Sequence, residues 1–369
     1  MFLEHADTIY ALMRALLIEG RYCCVLAGTG QSTSPSKSPT EAGVAFPVAW
    51  SVAFACRDHL RLRDEKVMIS EDGSVSIYCL VMQAADDERP AYRFSAQTIR
   101  VATCAAQPFP GWTIQKSPPR TKSEQEHPAK FPEALIGLFL TAFTRIGESV
   151  LDPMVGTGST VIAAMRGCRN GYGIELIGKF AAIAKERIEK LRGSMLGDPS
   201  TPGESGTIID GDATQLSVMT ELDGRTFDYA ITSPPYWSML GNAGSENQAA
   251  RRKKNLTLVY SDNESDLGNV QDYDQFLALL DGVYSQVADK LRCDGCLTVI
   301  VKNVKRHHVL YPLAWDLTAR LCSPDGKYDY LGTTLWCQDD ISLKPFALGS
   351  CYVTNTLHTY CMHFKKRAK

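Results

Sequence analysis

From residue 131 onward, short apolar segments alternate with longer segments of helical periodicity, and few folds allow this alternation. The strand-type segments are 149–151, 172–175, 207–210, 227–232, 297–302, 331–336 and 359–364. The helix-type segments are 131–146, 161–166, 177–192, 272–291 and 312–321. Because strands that alternate with helices pair mostly in parallel, the pattern predicts a doubly wound α/β sheet with its ligand at the carboxyl ends of the strands.

The first part of the chain has a different pattern and predicts a small mixed N-terminal domain. Segments 66–69 and 74–82 alternate around the turn sequence Glu71-Asp72-Gly73, which is typical of a β-hairpin. Residues 108–125 are rich in Pro, Lys, Arg and Ser and are predicted to form a linker.

Composition narrows the class of protein. The 369 residues carry a formal net charge of −2, so any surface for nucleic acid must be local. No apolar run approaches the roughly 20 residues of a membrane span, and the first residues lack the basic and apolar regions of a signal peptide. Twelve cysteines in mostly apolar surroundings are then expected to be reduced thiols of a cytoplasmic protein with no membrane contact.

No metal site is predicted. Cys293-Asp294-Gly295-Cys296 is a single pair of cysteines where a helix ends and a strand begins. A zinc site needs further ligands, so a turn is the better interpretation.

A glycine turn follows the first strand of the alternating region. Gly156, Thr157 and Gly158 connect that strand to a helix, and glycine there lets the backbone approach a ligand closely. A G-x-G sequence alone fits many nucleotides. No Lys-Ser or Lys-Thr pair follows it, which excludes a phosphate-binding P-loop.

Three acidic residues sharpen the ligand prediction. Glu175 ends the second strand, where a carboxylate can accept both ribose hydroxyls, and Asp212 follows the third, where it can accept from an adenine amino group. Asp152 would repel a pyrophosphate but suits a cation. A nucleoside with a positive centre and no phosphates fits this set, and S-adenosylmethionine is the predicted cofactor.

The fourth strand ends at Ser233-Pro234-Pro235-Tyr236-Trp237. Both prolines lack an N–H and fix φ, so the strand must stop in a rigid turn. The Pro234 carbonyl and the Ser233 hydroxyl can then accept hydrogen bonds from the two N–H groups of an exocyclic amine. The Tyr236 ring can stack on the planar group that carries it.

These motifs together resemble the amino-methylating DNA methyltransferases, which act on cytosine N4 or adenine N6. His127-Pro128-Ala129-Lys130-Phe131-Pro132 resembles the family's motif ahead of the first strand, and residues 152–160 resemble its glycine motif, with Met154 in place of the usual Phe. Residues 232–237 resemble its catalytic motif in the serine form typical of cytosine-N4 enzymes. The resemblance implies a mostly parallel, seven-stranded, Rossmann-like methyltransferase sheet. It also implies that Lys130 and Phe131 contact the cofactor.

The order of the motifs departs from that of many members, because the cofactor half precedes the catalytic half. The order resembles a circular permutation. It divides the methyltransferase domain, residues 127–369, into a cofactor half at 127–225 and a catalytic half at 226–369. Residues 1–126 would then hold part or all of the target-recognition region.

Double-stranded DNA is the partner that the resemblance implies, and two basic runs on the catalytic edge favour a DNA cleft. The residues assigned to DNA contact are Trp237, Arg251, Arg252, Lys253, Lys254, Lys305 and Arg306. The expected enzyme is a monomer or homodimer at the nucleoid, acting within a restriction–modification system. A cognate restriction endonuclease is a further partner whose existence the sequence leaves open.

Several alternatives stay open at this point. Serine at position 233 biases the target towards cytosine without excluding adenine N6. An RNA base or a protein glutamine amide could use a similar Pro-Pro-Tyr pocket. In another class, the chain could be a non-catalytic methyltransferase-like subunit that only binds nucleic acid.

Overall fold

The computed structural model describes residues 22–28, 60–69, 76–84, 108–116, 131–195, 205–235, 237, 263, 265–306, 309–337, 345–346, 353–354 and 356–368. The strands are β1 Tyr22–Gly28, β2 Leu60–Ile69, β3 Ser76–Ala84, β4 Trp112–Ile114, β5 Ser149–Asp152, β6 Asn170–Glu175, β7 Gly206–Asp210, β8 Phe227–Thr232, β9 Leu291–Val301, β10 Val304–Arg306, β11 Val309–Tyr311, β12 Tyr328–Cys337, β13 Pro345–Phe346, β14 Val353–Thr354 and β15 His358–Lys366. The helices are α1 Glu133–Phe143, α2 Ser159–Arg166, α3 Gly178–Met195, α4 Tyr273–Lys290 and α5 Leu313–Leu321.

Eight strands form the main sheet in the order β4-β12-β15-β9-β8-β5-β6-β7. Strands β7, β6, β5, β8 and β9 pair in parallel, whereas β15 runs antiparallel to both β9 and β12. The predicted doubly wound, mostly parallel sheet is therefore confirmed, and all seven predicted strands lie in it.

The eighth strand corrects the prediction for the linker. Within residues 108–125, the short strand Trp112–Ile114 pairs in parallel with β12 at the edge of the sheet. Pro108 and Pro110 give this stretch the composition of a linker. Local composition could not reveal the pairing, because the partner strand lies more than two hundred residues further along the chain.

Helices cover both faces of the main sheet. Val150 and Tyr229 point to the face that α1 covers, whereas their neighbours Leu151 and Ala230 point to the face covered by α4 and α5. Alternate residues of a strand face opposite sides, so the middle residues of β5 and β8 are apolar on both faces. Among the described helices, none combines the length and the apolar character needed to cross a bilayer.

The N-terminal strands form a separate three-stranded antiparallel sheet in the order β1-β3-β2. The predicted hairpin is confirmed as β2 and β3, with Ile69 opposite Ser76 nearest the turn. Two short antiparallel pairs, β10 with β11 and β13 with β14, complete the described strands.

Candidate active site

Parallel pairing brings the two predicted halves of the site to one edge of the sheet. Strand β8 pairs directly with β5, and β5 pairs directly with β6. Neighbouring strands lie about 4.8 Å apart, so the carboxyl ends Thr232, Asp152 and Glu175 follow one another along that edge. The Ser-Pro-Pro turn, the glycine turn and the first cofactor acid therefore open onto one region.

The glycine turn depends on backbone conformations that favour glycine. Gly156 has a φ of 56° and Gly158 a φ of 85°. The Val155 N–H donates to the carbonyl of Ile174 at 2.9 Å, which attaches the turn to β6. A Cβ on Gly158 would come within 2.9 Å of the Ala184 Cβ in α3. The turn is therefore packed tightly against the helix behind it.

Replacing Gly158 with alanine is expected to lower the free energy of unfolding by about 1–3 kcal/mol, because the left-handed conformation and the contact with α3 both oppose a Cβ. Chemical denaturation measures the change. Gly137 is the matched control, since it lies inside α1 with nothing within 4 Å of an added Cβ. Gly137→Ala should stabilise the chain by about 0.5–1 kcal/mol. Equal effects of the two substitutions would contradict this description of the turn.

Glu175 connects the glycine turn to the next helix. One carboxyl oxygen accepts from the Gly156 N–H at 2.8 Å, and the other accepts from the Ile177 N–H at 2.9 Å. The side chain is buried, and burial raises its pKa to about 7, against the lowering effect of these two bonds. The charges of Asp152 and Asp266 add to the increase. Each oxygen still has a lone pair for a ligand hydroxyl.

Asp152 is the last residue of β5 and precedes the glycine turn. Its carboxyl accepts from the Thr160 hydroxyl at 2.5 Å and from the Met154 N–H at 3.0 Å. Burial raises its pKa to about 6, while these bonds and the Thr232 side chain lower it. Thr232 directly precedes Ser233, so the turn Ser233-Pro234-Pro235 begins next to the Asp152 carboxyl. This turn is called the catalytic turn below, after its predicted role.

Asp212 lies where the sequence predicted, just beyond β7. Its carboxyl accepts from the Thr214 N–H at 2.8 Å and caps the short 3-10 helix Ala213–Val218. The N–H of Gly211 donates to the Glu175 carbonyl at 3.0 Å. This bond holds the Asp212 loop beside the end of β6, which keeps the two acids on adjacent strand ends.

The catalytic turn is partly accessible. Ser233 and Pro235 are half-buried, whereas Pro234 is buried. Tyr236, Lys130 and the basic run 251–254 lie outside the described residues, so their predicted roles stay predictions. Phe131 packs against the apolar cluster beneath α1.

Trp237 differs from its prediction as a DNA-contacting residue. It is 3% exposed and packs against Tyr273 and Tyr311, with ring centroids 4.9 and 4.7 Å away. The Arg306 guanidinium lies 4.8 Å from the centre of its ring. Trp237 is thus an internal support after the catalytic turn, and its burial does not fit direct contact with DNA.

The two described basic residues predicted to bind DNA follow β9. Lys305 and Arg306 are half-buried in β10. Arg306 donates to the backbone carbonyl of Gln271 at 3.3 Å and to its side-chain oxygen at 3.2 Å. Arg306 therefore already connects the catalytic turn with the segment before α4. Its main role in this structure is to join parts of the site.

Sequence reasoning missed three residues that shape the cofactor side. Thr160 binds the Asp152 carboxyl, and Arg187 donates to the Thr157 carbonyl and, at 2.6 Å, to Glu133. Asp266 is buried, accepts from the Gly268 N–H at 2.9 Å and raises the pKa of Glu175. The short Asp-Leu-Gly-Asn turn was a local signal for the last of these. The other two depend on contacts that only the fold creates.

Fold and site together define an α/β protein in which a glycine turn lies beside a proline-rich turn at the carboxyl ends of neighbouring strands. A family model described as DNA methylase, of the N6/N4 class, matches residues 63–186. Over these residues the chain is similar to the amino-methylating (N6/N4) DNA methyltransferases. The matched segment begins in β2, upstream of the predicted boundary at residue 127, and ends within α3.

Curated type II methyltransferases match part of the chain. The type II methyltransferase M2.DpnII of Streptococcus pneumoniae is 35% identical over 78 residues, which are 21% of this chain and 29% of that protein. M.SmaI of Serratia marcescens is 38% identical over 81 residues, 22% of this chain and 26% of that protein. The matches thus span less than a third of the length of these relatives.

Solved structures of other proteins resemble the chain at low identity. TrmN from Thermus thermophilus is 13% identical with a TM-score of 0.40, and the alignment covers 80% of this chain and 57% of that one. Magnesium protoporphyrin IX methyltransferase from Synechocystis, solved with bound SAM, is 12% identical with a TM-score of 0.35, covering 64% and 77%. Likeness at this level carries no conclusion about substrate.

Proposed function

We propose that this chain transfers a methyl group from S-adenosylmethionine to the exocyclic N4 amine of cytosine in duplex DNA. The observation that carries the proposal is the direct pairing of β8 with β5, since it puts the Ser233 turn beside Asp152 and the glycine turn. The serine form of the catalytic motif favours cytosine over adenine. The similarity of residues 63–186 to the DNA methylase family supports DNA as the substrate.

The chemistry of the cofactor side fits S-adenosylmethionine. Glu175 would accept the ribose hydroxyls, and Asp212 would accept from the adenine amino group, as predicted from their places at successive strand ends. Asp152 and Glu175 are both buried next to the glycine turn, where they would repel a phosphate but attract a cation. When bound, the cofactor supplies an electrophilic methyl group on a positive sulfur.

The catalytic turn acts by positioning and electrostatics. The lone pair of the cytosine N4 amine is delocalised into the ring and is a weak nucleophile. The Pro234 carbonyl and the Ser233 hydroxyl would accept hydrogen bonds from its two N–H groups and draw the nitrogen towards tetrahedral geometry. The lone pair of the nitrogen would then be free to attack an electrophilic methyl group. No cysteine nucleophile is needed.

A base inside a duplex cannot reach a turn at a strand end, so the target must leave the helix. Flipping a base costs a few kcal/mol, and stacking on an aromatic ring such as Tyr236 returns about 1–3 kcal/mol. Basic residues beyond the catalytic edge would hold the phosphates. We therefore expect DNA affinity to fall steeply with salt.

Cofactor affinity is expected to depend on pH through Glu175. Its pKa of about 7 means that the carboxyl is largely protonated at pH 6 and ionised at pH 8. Because the ionised form accepts the hydroxyls and attracts the cation, the affinity should rise by about tenfold between pH 6 and pH 8 and then level off. Calorimetric titration at several pH values measures this. Glu175→Gln should bind weakly with a much flatter profile, and an equally steep profile in that variant would contradict the assignment.

The identity of the methylated base tests the proposal. Nucleosides from the DNA of cells that express the chain would be separated and identified by mass spectrometry. The expected product is N4-methylcytosine, and N6-methyladenine in its place would assign adenine as the target. Finding the modification only in RNA or in protein, or nowhere, would contradict a DNA methyltransferase.

A further inference from the structure

Glu65 is a buried acid in the N-terminal sheet that contacts residues in and next to the main sheet. It lies in β2 and is 1% exposed. Its carboxyl accepts from the Asn303 side-chain amide at 2.6 Å and from the Tyr360 hydroxyl at 2.9 Å. The His358 Nε2 lies 3.5 Å from one of its oxygens. These partners are more than two hundred residues away in sequence, so the contact joins two distant parts of the chain.

Asn303 extends this contact towards the catalytic edge. It follows the end of β9 and is 5% exposed. While its amide nitrogen donates to Glu65, its oxygen accepts from the Ala314 N–H at 3.0 Å in the first turn of α5. Both ends of the side chain are therefore engaged, which fixes where the chain turns from β9 into β10.

The segment that Asn303 fixes leads directly to the catalytic turn. Arg306 ends β10, and its guanidinium covers the ring of Trp237, which lies two residues after Pro235. Arg306 also donates to Gln271. A continuous set of contacts thus runs from Glu65 through Asn303 and Arg306 to Trp237.

We propose that Glu65 is a positioning residue for the catalytic turn, acting through Asn303 and the segment Val304–Arg306. An apolar side chain would join the two sheets without the cost of removing a carboxyl group from water. The acid instead orients the side-chain amide of Asn303, which an apolar residue could not do. Residues from the N-terminal part of the chain then help to build the catalytic centre. The family match beginning at residue 63 includes this strand.

The inference rests on the proposed function, and removing the charge of Glu65 tests it. Glu65→Gln keeps the shape but turns an amide towards donor groups, so the bond to Asn303 is weakened. The single-turnover rate of methyl transfer, at saturating cofactor and DNA, should fall about tenfold or more, while the Kd of the cofactor stays within twofold. Glu221→Gln, on an exposed glutamate, is the control and should leave both values unchanged.

Adding Asn303→Asp to Glu65→Gln reverses the polarity of the bond. The carboxylate introduced by Asn303→Asp can accept from the new amide and still accept from the Ala314 N–H, so most of the lost rate should return. Tyr360→Phe, measured in parallel, removes one donor to Glu65 and should lower the rate about threefold with cofactor affinity unchanged. A rate within twofold of wild type in folded Glu65→Gln overturns the inference. If that variant does not fold, an unchanged rate in Tyr360→Phe overturns it equally.

Hydrogen exchange separates failure of this inference from failure of the proposed function. In Tyr360→Phe or Glu65→Gln without DNA, the amides of residues 304–306 and 314 should exchange faster than in wild type. Unchanged exchange at these amides contradicts the positioning role even if the wild type methylates DNA. A wild type that methylates nothing contradicts the proposed function, whereas faster exchange would still support the connection from Glu65.

Discussion

Ser233→Ala is expected to lower the single-turnover rate of methyl transfer by about 100-fold or more and to leave the cofactor Kd within twofold of wild type. The hydroxyl is one of the two acceptors proposed for the target amine, and removing one oriented group of this kind costs about 10²–10³ in rate. The proposed cofactor contacts are at Gly156 and Glu175, which lie beyond the ends of the neighbouring strands β5 and β6. A quenched-flow assay with labelled cofactor measures the rate, and calorimetry measures the Kd.

A matched serine distinguishes this effect from a general effect of substitution. Ser194 is exposed near the end of α3, and its hydroxyl donates only locally, to the Leu191 carbonyl at 2.7 Å. Ser194→Ala should therefore transfer methyl groups at the wild-type rate. If Ser233→Ala did the same, the proline-rich turn would not be the catalytic element.

Glu175→Ala has the second largest expected effect, a loss of cofactor affinity of about 100-fold or more. Two hydrogen bonds from ligand hydroxyls to a charged group contribute roughly 3–6 kcal/mol together, and 1.4 kcal/mol corresponds to a factor of ten. The substitution also removes the acceptors for the N–H groups of Gly156 and Ile177, which loosens the glycine turn. Calorimetric titration with S-adenosylmethionine measures the loss.

The control for Glu175→Ala is another glutamate that makes only a surface contact. Glu186 on α3 forms an ion pair with Lys190 one turn later, and both side chains are exposed. Glu186→Ala should bind the cofactor with wild-type affinity. A Kd for Glu175→Ala within threefold of wild type would mean that this carboxyl does not hold the ribose.

Local chemistry made much of the fold predictable. Seven strands of the main sheet follow from short apolar runs bounded by glycine, proline or an acid. The largest difference from the prediction is in β9, which begins at Leu291 and not at residue 297 because Leu291 pairs with Phe227 of β8. Cys293 and Cys296 therefore lie within this strand and not in the predicted turn before it. The glycine turn could be predicted because its geometry requires glycine at Gly156 and Gly158. The stop at Pro234 was equally predictable, because proline cannot continue a strand.

Features that depend on distant contacts could not be predicted in the same way. The burial of Trp237 arises from Tyr273 and Tyr311, which only the folded chain brings to it. Strand β4 forms because it pairs with β12. Glu65 is bound by Tyr360 of β15 and by Asn303, which lies shortly after the end of β9. In each case the sequence near the residue carries little of the signal, because the stabilising partner is on another element.

The most direct test of the proposed function is transfer of a labelled methyl group from S-adenosylmethionine to duplex DNA by the purified chain, followed by identification of the labelled nucleoside. We expect label on N4 of cytosine with the wild type and almost none with Ser233→Ala under identical conditions. Absence of label in DNA from wild-type protein that binds the cofactor, or equal labelling by both proteins, would contradict it.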